Sequence, residues 1–290
     1  MLLRSLLFVP AYNVKFLDSA LRRNADALIF DLEDSVPLEY KSKAREILNE
    51  YLKREELKNK KVFIRLNSIE SGELNDDLDV CIDKNVNGFM VPKIYTSEDI
   101  DYYDKLILKY EFENGLEEGY FKILPLIETT SAILDVYNIV KASKRILAIC
   151  FGGEDFLDDL HGTHGEPPHT FNYPRAKIAL AARSVGVLPI DTPYLDLHDD
   201  EGFMKEEGIS FDMGFAGCLL IHPSQIELAN RCFMPDEEEV EQSKKIFDAI
   251  KEAEKKGSGV AMLDGKMIGP PMRKRAEKVL ELVRMLEEGD

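Results

Sequence analysis

The chain has 290 residues, 44% of them hydrophobic and 31% charged. That composition supplies a large core, excludes bulk disorder and short modules, and suits one large domain with an appendage. Lys and Arg number 37 against 54 Asp and Glu, a formal net charge of −17, and a surface this acidic repels nucleic-acid phosphate, which excludes a general DNA or RNA binder.

In chain order, eight short apolar runs read as strands: Ser5 to Pro10, Ala27 to Leu32, Lys61 to Leu66, Gly88 to Lys93, Lys122 to Ile127, Ile146 to Phe151, Val187 to Asp191 and Cys218 to His222. Helical patterns such as Val14 to Arg23, Lys41 to Lys53 and Glu98 to Tyr110 lie between them. Runs that are continuously apolar indicate strands covered on both faces, and eight βα units predict an α/β fold, a (β/α)8 TIM barrel, over residues 1–234. An open doubly wound sheet is the weaker choice, because the turn after the first strand, Pro10 to Val14, carries no glycine for a phosphate. Residues 235–290 predict a C-terminal helical extension: a helix from Pro235 to Lys256, a Gly257-Ser258-Gly259 break, a short hairpin-like piece and a helix from Pro271 to Glu287. The break makes this extension a candidate lid over a barrel mouth.

Cys81, Cys150, Cys218 and Cys232 form no CxxC pair and are too few for a disulfide framework, which suits thiols in a reducing compartment. Arg4 interrupts the apolar N-terminus where a signal peptide would be uncharged, and no run approaches the ~20 apolar residues of a membrane span. The expectation is a cytoplasmic protein with no membrane partner.

A barrel builds its active site where the strands end, so those ends carry the candidates. Glu128 and Asp155 follow consecutive strands, and two carboxylates converging there suit Mg2+; helix capping is the competing assignment for each. Arg65 ends the third strand, placed to clamp a substrate carboxylate or a developing oxyanion, or to pair with Asp31 or Glu33. Glu33 and Asp34 are candidates to orient metal-bound water, with a cap or a solvated edge as the alternative. Lys41 and Arg45, one helical turn apart, offer a positive face for a phosphate or pantetheine-bearing ligand, or pair with nearby acids. His161, His164 and His169 lack a cysteine or a helix to align them as a zinc site. His222, before Pro223, reads as a satisfied loop histidine, and no serine has a Gly-x-Ser-x-Gly setting.

The motifs together resemble a family. RSLLFVP at Arg4–Pro10, DLEDS at Asp31–Ser35 with Lys41 and Arg45, IRLN at Ile64–Asn67, VPK at Val91–Lys93, PLIET at Pro125–Thr129, FGGEDF at Phe151–Phe156, IHPSQI at Ile221–Ile226 and DGKMI at Asp264–Ile268 span nearly the whole chain. In order and placement they are similar to the β subunit of citrate lyase and the malyl-CoA and citramalyl-CoA lyases, among the Mg2+-dependent HpcH/HpaI-type barrel aldolases. The resemblance implies Mg2+ on Glu128 and Asp155, Arg65 as the enolate-stabilising arginine, and Glu33 and Asp34 as supporting acids. Substrate or CoA binding is assigned to Arg4, Lys41, Arg45 and Lys93. The resemblance further implies a trimer or hexamer in which one chain's tail closes its neighbour's site, with other citrate lyase subunits as possible partners.

Two positions depart from the family pattern. The tail aspartate that serves as general acid or base is replaced by Gly269, and a lysine common in the eighth strand is replaced by Cys218. The loop from His161 to Tyr173 is also longer than usual. The expected activity is carbon–carbon lysis of a 3-hydroxy acyl thioester on CoA or acyl carrier protein. The alternatives are a class II pyruvate aldolase acting on a free 2-keto-4-hydroxy acid, and a binding homologue without turnover.

Overall fold

A computed structural model describes residues 1–165, 169–255, 257–258 and 260–287. Eight parallel strands close on themselves in sequence order: β1 Ser5–Pro10, β2 Ala27–Asp31, β3 Val62–Arg65, β4 Gly88–Val91, β5 Lys122–Ile127, β6 Ala148–Phe151, β7 Leu188–Asp191 and β8 Gly217–Leu220. β8 returns to β1 with Ser5 opposite Cys218 and Leu7 opposite Leu220. Outside the strands pack α1 Val14–Leu21, α2 Lys41–Tyr51, α3 Leu74–Cys81, α4 Ser97–Glu113, α5 Thr130–Lys141, α6 Gly153–Leu160, α7 Asn172–Val185, α8 Asp200–Asp212 and α9 Ile226–Cys232. This is the (β/α)8 barrel that the spacing of apolar runs predicts.

The strand residues divide by parity, because successive side chains on a strand point to opposite faces. Leu28, Phe30, Ile64, Phe89 and Ile149 join the helices in one large outer core. Ala27, Ile29, Phe63, Met90, Leu124, Leu126, Ala148, Cys150, Ile190 and Leu219 form a second, separate cluster that fills the barrel lumen. The lumen is thus packed solid, and it supports whatever is built above it.

Two compact units make up the chain: one spans Leu3–Phe233, and the other comprises Met1–Leu2 and the chain from Met234 onward. The latter unit contains α10 Glu237–Lys255, an antiparallel hairpin of β9 Ala261–Leu263 and β10 Lys266–Ile268, and α11 Pro270–Glu287. Its hairpin turn places Asp264 and Gly265 at φ 50° and 74°, the left-handed pair that a two-residue turn of this twist requires. Ile246, Ala261, Ile268 and Ala276 form its own small core. Gly259, part of the proposed hinge, and Lys256, the end of the predicted helix, lie outside the described residues. No helix of the described residues is long and apolar enough to cross a membrane.

Candidate active site

The inward parity that fills the lumen continues upward past the strand ends. Counting in twos from Ala27 and Ile29 reaches Asp31, from Phe63 reaches Arg65, from Leu124 and Leu126 reaches Glu128, and from Ala148 and Cys150 reaches Gly152. These four residues, with Phe8, Asp155 and Thr192, line a cavity of about 280 Å3 at the C-terminal face. The pleat itself therefore delivers an arginine and two acids to one place.

Arg65 is fixed from several sides. Its Nε donates to Asp31 Oδ1 at 2.7 Å and its Nη2 to Asp31 Oδ2 at 2.6 Å, a two-pronged pair with the carboxylate fully buried. The guanidinium carbon stands 4.6 Å from the centre of the Phe8 ring, and Glu33 Oε2 lies 3.2 Å from Nη1. Burial opposes the Arg65 charge, but Asp31, Glu33 and Asp34 outweigh it and hold the cation more firmly protonated than usual. Asp31 is in turn anchored by the backbone N–H groups of Glu33 and Ser35, at 2.9 and 3.1 Å. Despite its burial, Asp31 stays below the ordinary carboxylate range because of Arg65. The ion-pair alternative for Arg65 is thus present, with Nη1 standing toward Glu33 and Asp34 at 3.2 and 3.8 Å.

Glu33 behaves differently. It is buried, and its Oε2 has no hydrogen-bond partner among the described residues despite the nearby Nη1. Burial, reinforced by Asp34, Glu128 and Asp31 and opposed by Arg65, pushes its pKa up to about 8. Asp34 is 59% exposed and 3.8 Å from Arg65, a peripheral charge.

Glu128 and Asp155 come together through Lys93. Glu128 is 1% exposed and accepts a 2.6 Å hydrogen bond on Oε1 from the Lys93 backbone N–H. The Lys93 ammonium lies 3.6 Å from that oxygen and is ion-paired to Asp155 Oδ1. Burial pushes Glu128 up to about 7 even with Lys93 beside it. The helix-cap assignments give way here: Thr129, not Glu128, caps α5 by accepting from the Ala132 N–H at 3.1 Å. Asp155 lies in the first turn of α6, whose N-cap is Gly152 and which has no side-chain cap. Gly152 is required beside them, since a Cβ there would stand 2.7 Å from Glu128 Cβ and 2.8 Å from its Oε2. The paired carboxylates are hard oxygen donors already bracketing a cation, a set that fits Mg2+ with its other positions left to water and substrate.

The four residues expected to bind substrate or CoA are placed as follows. Arg4 precedes β1 at the opposite, N-terminal end of the barrel, where Nε and Nη2 clamp Asp26 at 2.8 and 2.7 Å. Lys41 spends its ammonium on Leu32 O, Glu33 O and Asn67 Oδ1, tying the loop after β2 to the end of β3. Arg45 pairs with Glu73 at 2.7 Å and the buried Asp77 at 3.0 Å, acids brought from the next βα unit. Lys93 sits between the Glu128 and Asp155 carboxylates. Each of the first three is engaged by groups distant in sequence: Arg4 and Arg45 by acids, and Lys41 by two backbone carbonyls and an amide oxygen.

His164 Nε2 lies 2.8 Å from Glu154 Oε1, which accepts from it, His161 ends α6 in a left-handed conformation, and His222 caps the turn at Pro223 through Nδ1 and Ser224. Residues 166–168 of that long loop lie outside the described residues. The reading of strand ends overlooked Phe8 beneath Arg65 and Thr192, whose hydroxyl accepts the Gly153 N–H at 2.8 Å and seats the start of α6. Parity would have found both, since each shares the inward register of its strand.

A family model described as HpcH/HpaI aldolase/citrate lyase matches residues 4–223. Citrate lyase subunit beta of Haemophilus influenzae is 36% identical over 278 residues, covering 96% of each chain. A crystal structure of a citrate lyase from Burkholderia xenovorans has a TM-score of 0.85 at 18% identity, covering 100% of this chain and 93% of that one. The protein CitE of Mycobacterium tuberculosis, solved with magnesium, acetoacetate and coenzyme A, has a TM-score of 0.75 at 23% identity, covering 97% of each. At these identities the structural likeness is one of fold.

Proposed function

Because the chain belongs to the HpcH/HpaI aldolase/citrate lyase family, we propose that it is a Mg2+-dependent carbon–carbon lyase. Its substrate is a 3-hydroxy acyl thioester such as citryl-, malyl- or citramalyl-CoA or the acyl-carrier-protein equivalent, and its products are a keto acid and an acyl thioester. The observation that carries this reading is one cavity with an immobilised arginine on one side and the Glu128–Asp155 pair on the other. The complex of CitE with magnesium, acetoacetate and coenzyme A supports the ligand classes.

Glu128 and Asp155 would hold the Mg2+, which supplies Lewis-acid polarisation of the hydroxyl and carboxylate of the keto-acid half. When the carbon–carbon bond breaks, the hydroxyl of the keto-acid half passes its proton to water and becomes the carbonyl, the bond's electron pair passes to the thioester half as an enolate, and charge accumulates on the enolate oxygen. Arg65 meets that charge in a position that Asp31 and Phe8 have already fixed, so little reorganisation accompanies the reaction. Asp34 adds a peripheral negative charge beside the arginine, and Glu33, raised to about 8, stands at its edge as a protonated acid near neutral pH. Gly269 offers no side chain for proton transfer, so the enolate carbon takes its proton from water.

The same reading makes residues 1–234 the catalytic domain and 235–290 a lid, in a cytoplasmic homotrimer or hexamer that works alone or with other citrate lyase subunits. Its test is an assay of purified protein with Mg2+ or chelator against citryl-CoA, malyl-CoA and citramalyl-CoA, reading released keto acid. Turnover is expected on one of them, lost with chelator and in Glu128→Gln. Cleavage that survives Glu128→Gln would overturn the mechanism, and turnover only on free 2-keto-4-hydroxy acids would make the protein a pyruvate aldolase.

A further inference from the structure

Lys93 is the residue at the mouth that the proposed reaction does not use, and three observations single it out. It is one of three non-glycine residues with positive φ among the described residues, at 50°, a conformation that a long side chain adopts only at a cost. Its backbone N–H and its ammonium both face the same acid, Glu128 Oε1, at 2.6 and 3.6 Å. The ammonium also completes an ion pair with Asp155, so the left-handed turn directs one cation between the two carboxylates that the functional reading gives to the metal. An ammonium and a divalent ion cannot share that space, since like charges a few ångströms apart beside the buried Glu128 repel each other.

We propose that Lys93 is a tethered counter-ion of the metal site, a positioning residue that neutralises Glu128 and Asp155 before metal binds and is displaced when it does. The inference rests on the metal reading of those two acids. Without Lys93, the buried Glu128, which has no other ion-pair partner among the described residues, would be left with only the more distant Arg65 to offset its charge. With it, the site is preformed and metal binding is weakened by the work of expelling the ammonium. Displacement also frees a cation at the rim, which makes Lys93 a metal-gated group in place of a permanent substrate contact.

The experiment measures metal binding directly, with no turnover. Mn2+ is titrated by electron paramagnetic resonance and Mg2+ by calorimetry into the full chain, into Lys93→Asn, whose short side chain tolerates the left-handed backbone, and into the charge-retaining Lys93→Arg. Lys93→Asn is expected to bind roughly tenfold tighter than wild type, and Lys93→Arg no tighter. In the unmutated protein, acetylation of Lys93 followed by mass spectrometry is expected to accelerate several-fold on adding Mg2+, as the amine loses its carboxylate partners. Wild type that binds Mn2+ while Lys93→Asn binds no tighter, or a Lys93 acetylation rate indifferent to Mg2+, overturns this inference alone. Absence of Mn2+ binding in all three overturns the metal reading and this inference with it.

Discussion

Asp31 ends β2 and Glu33 follows two residues later, yet their surroundings drive the two carboxylates to opposite protonation states. Asp31 receives two guanidinium hydrogen bonds and two backbone N–H groups, which outweigh burial and keep it ionised. Glu33 receives no hydrogen bond on its buried Oε2, so burial wins and its pKa rises to about 8. A carboxyl raised from an ordinary 4.5 to about 8 binds more protons folded than unfolded throughout that interval. Its contribution to stability therefore falls as pH rises from about 4.5 and levels off only above about 8. Glu33→Gln removes the titration while keeping the shape, so urea midpoints measured from pH 5 to pH 9 should decline less in the variant than in wild type, by ~1–3 kcal/mol in unfolding free energy. Parallel profiles would mean that Glu33 is ionised in the folded protein and firmly paired with Arg65.

The elements explain why so much of the fold was legible and some of the site was not. Each predicted strand overlaps an observed one, and β1 and β5 agree at both ends, because a strand buried on both faces must be a continuous apolar run ended by a polar residue. The residues at those ends were visible for the same reason: Arg65 and Glu128 interrupt hydrophobic runs, and Asp155 follows the β6 run after two glycines and Glu154. What the sequence hides is pairing across βα units. Arg45 meets Asp77 and Glu73 from α3 and the turn before it, while Lys41 meets Asn67 after β3, and nothing in the helix face of α2 marks those partners. Arg4 looked like a site residue by its place in a motif, although the strand direction puts it at the far end of the barrel. Gly152 is an element-scale requirement of the reverse kind, a residue needed for what it lacks between β6 and α6. Gly152→Ala should weaken Mn2+ binding by at least ~10-fold and cost ~1–3 kcal/mol or more of stability, because the added methyl meets both the Cβ and the carboxylate of the buried Glu128, so the backbone must shift. Unaltered Mn2+ affinity in that variant would show that the position of Glu128 is not what the metal senses.

At the scale of the whole molecule, the net charge of −17 complicates any test of the metal site, since a divalent ion at millimolar concentration will relieve general self-repulsion in so acidic a chain. Raised melting temperature on adding Mg2+ is therefore ambiguous by itself. The specific part is separable, because both carboxylates belong to the Leu3–Phe233 unit and one of them, Glu128, is buried and unavailable to diffuse ions. A ligand bound only to the folded state at a concentration about 100 times its dissociation constant adds ~2.7 kcal/mol. In a unit of this size that corresponds to roughly 5–10 °C. Scanning calorimetry of wild type and Glu128→Gln, each with Mg2+ and with NaCl matched in ionic strength, should show a Mg2+-specific rise of that order in wild type alone. Any rise common to both proteins measures screening, and a difference of zero between them would remove the metal from this site, leaving Lys93 as the permanent cation between Glu128 and Asp155.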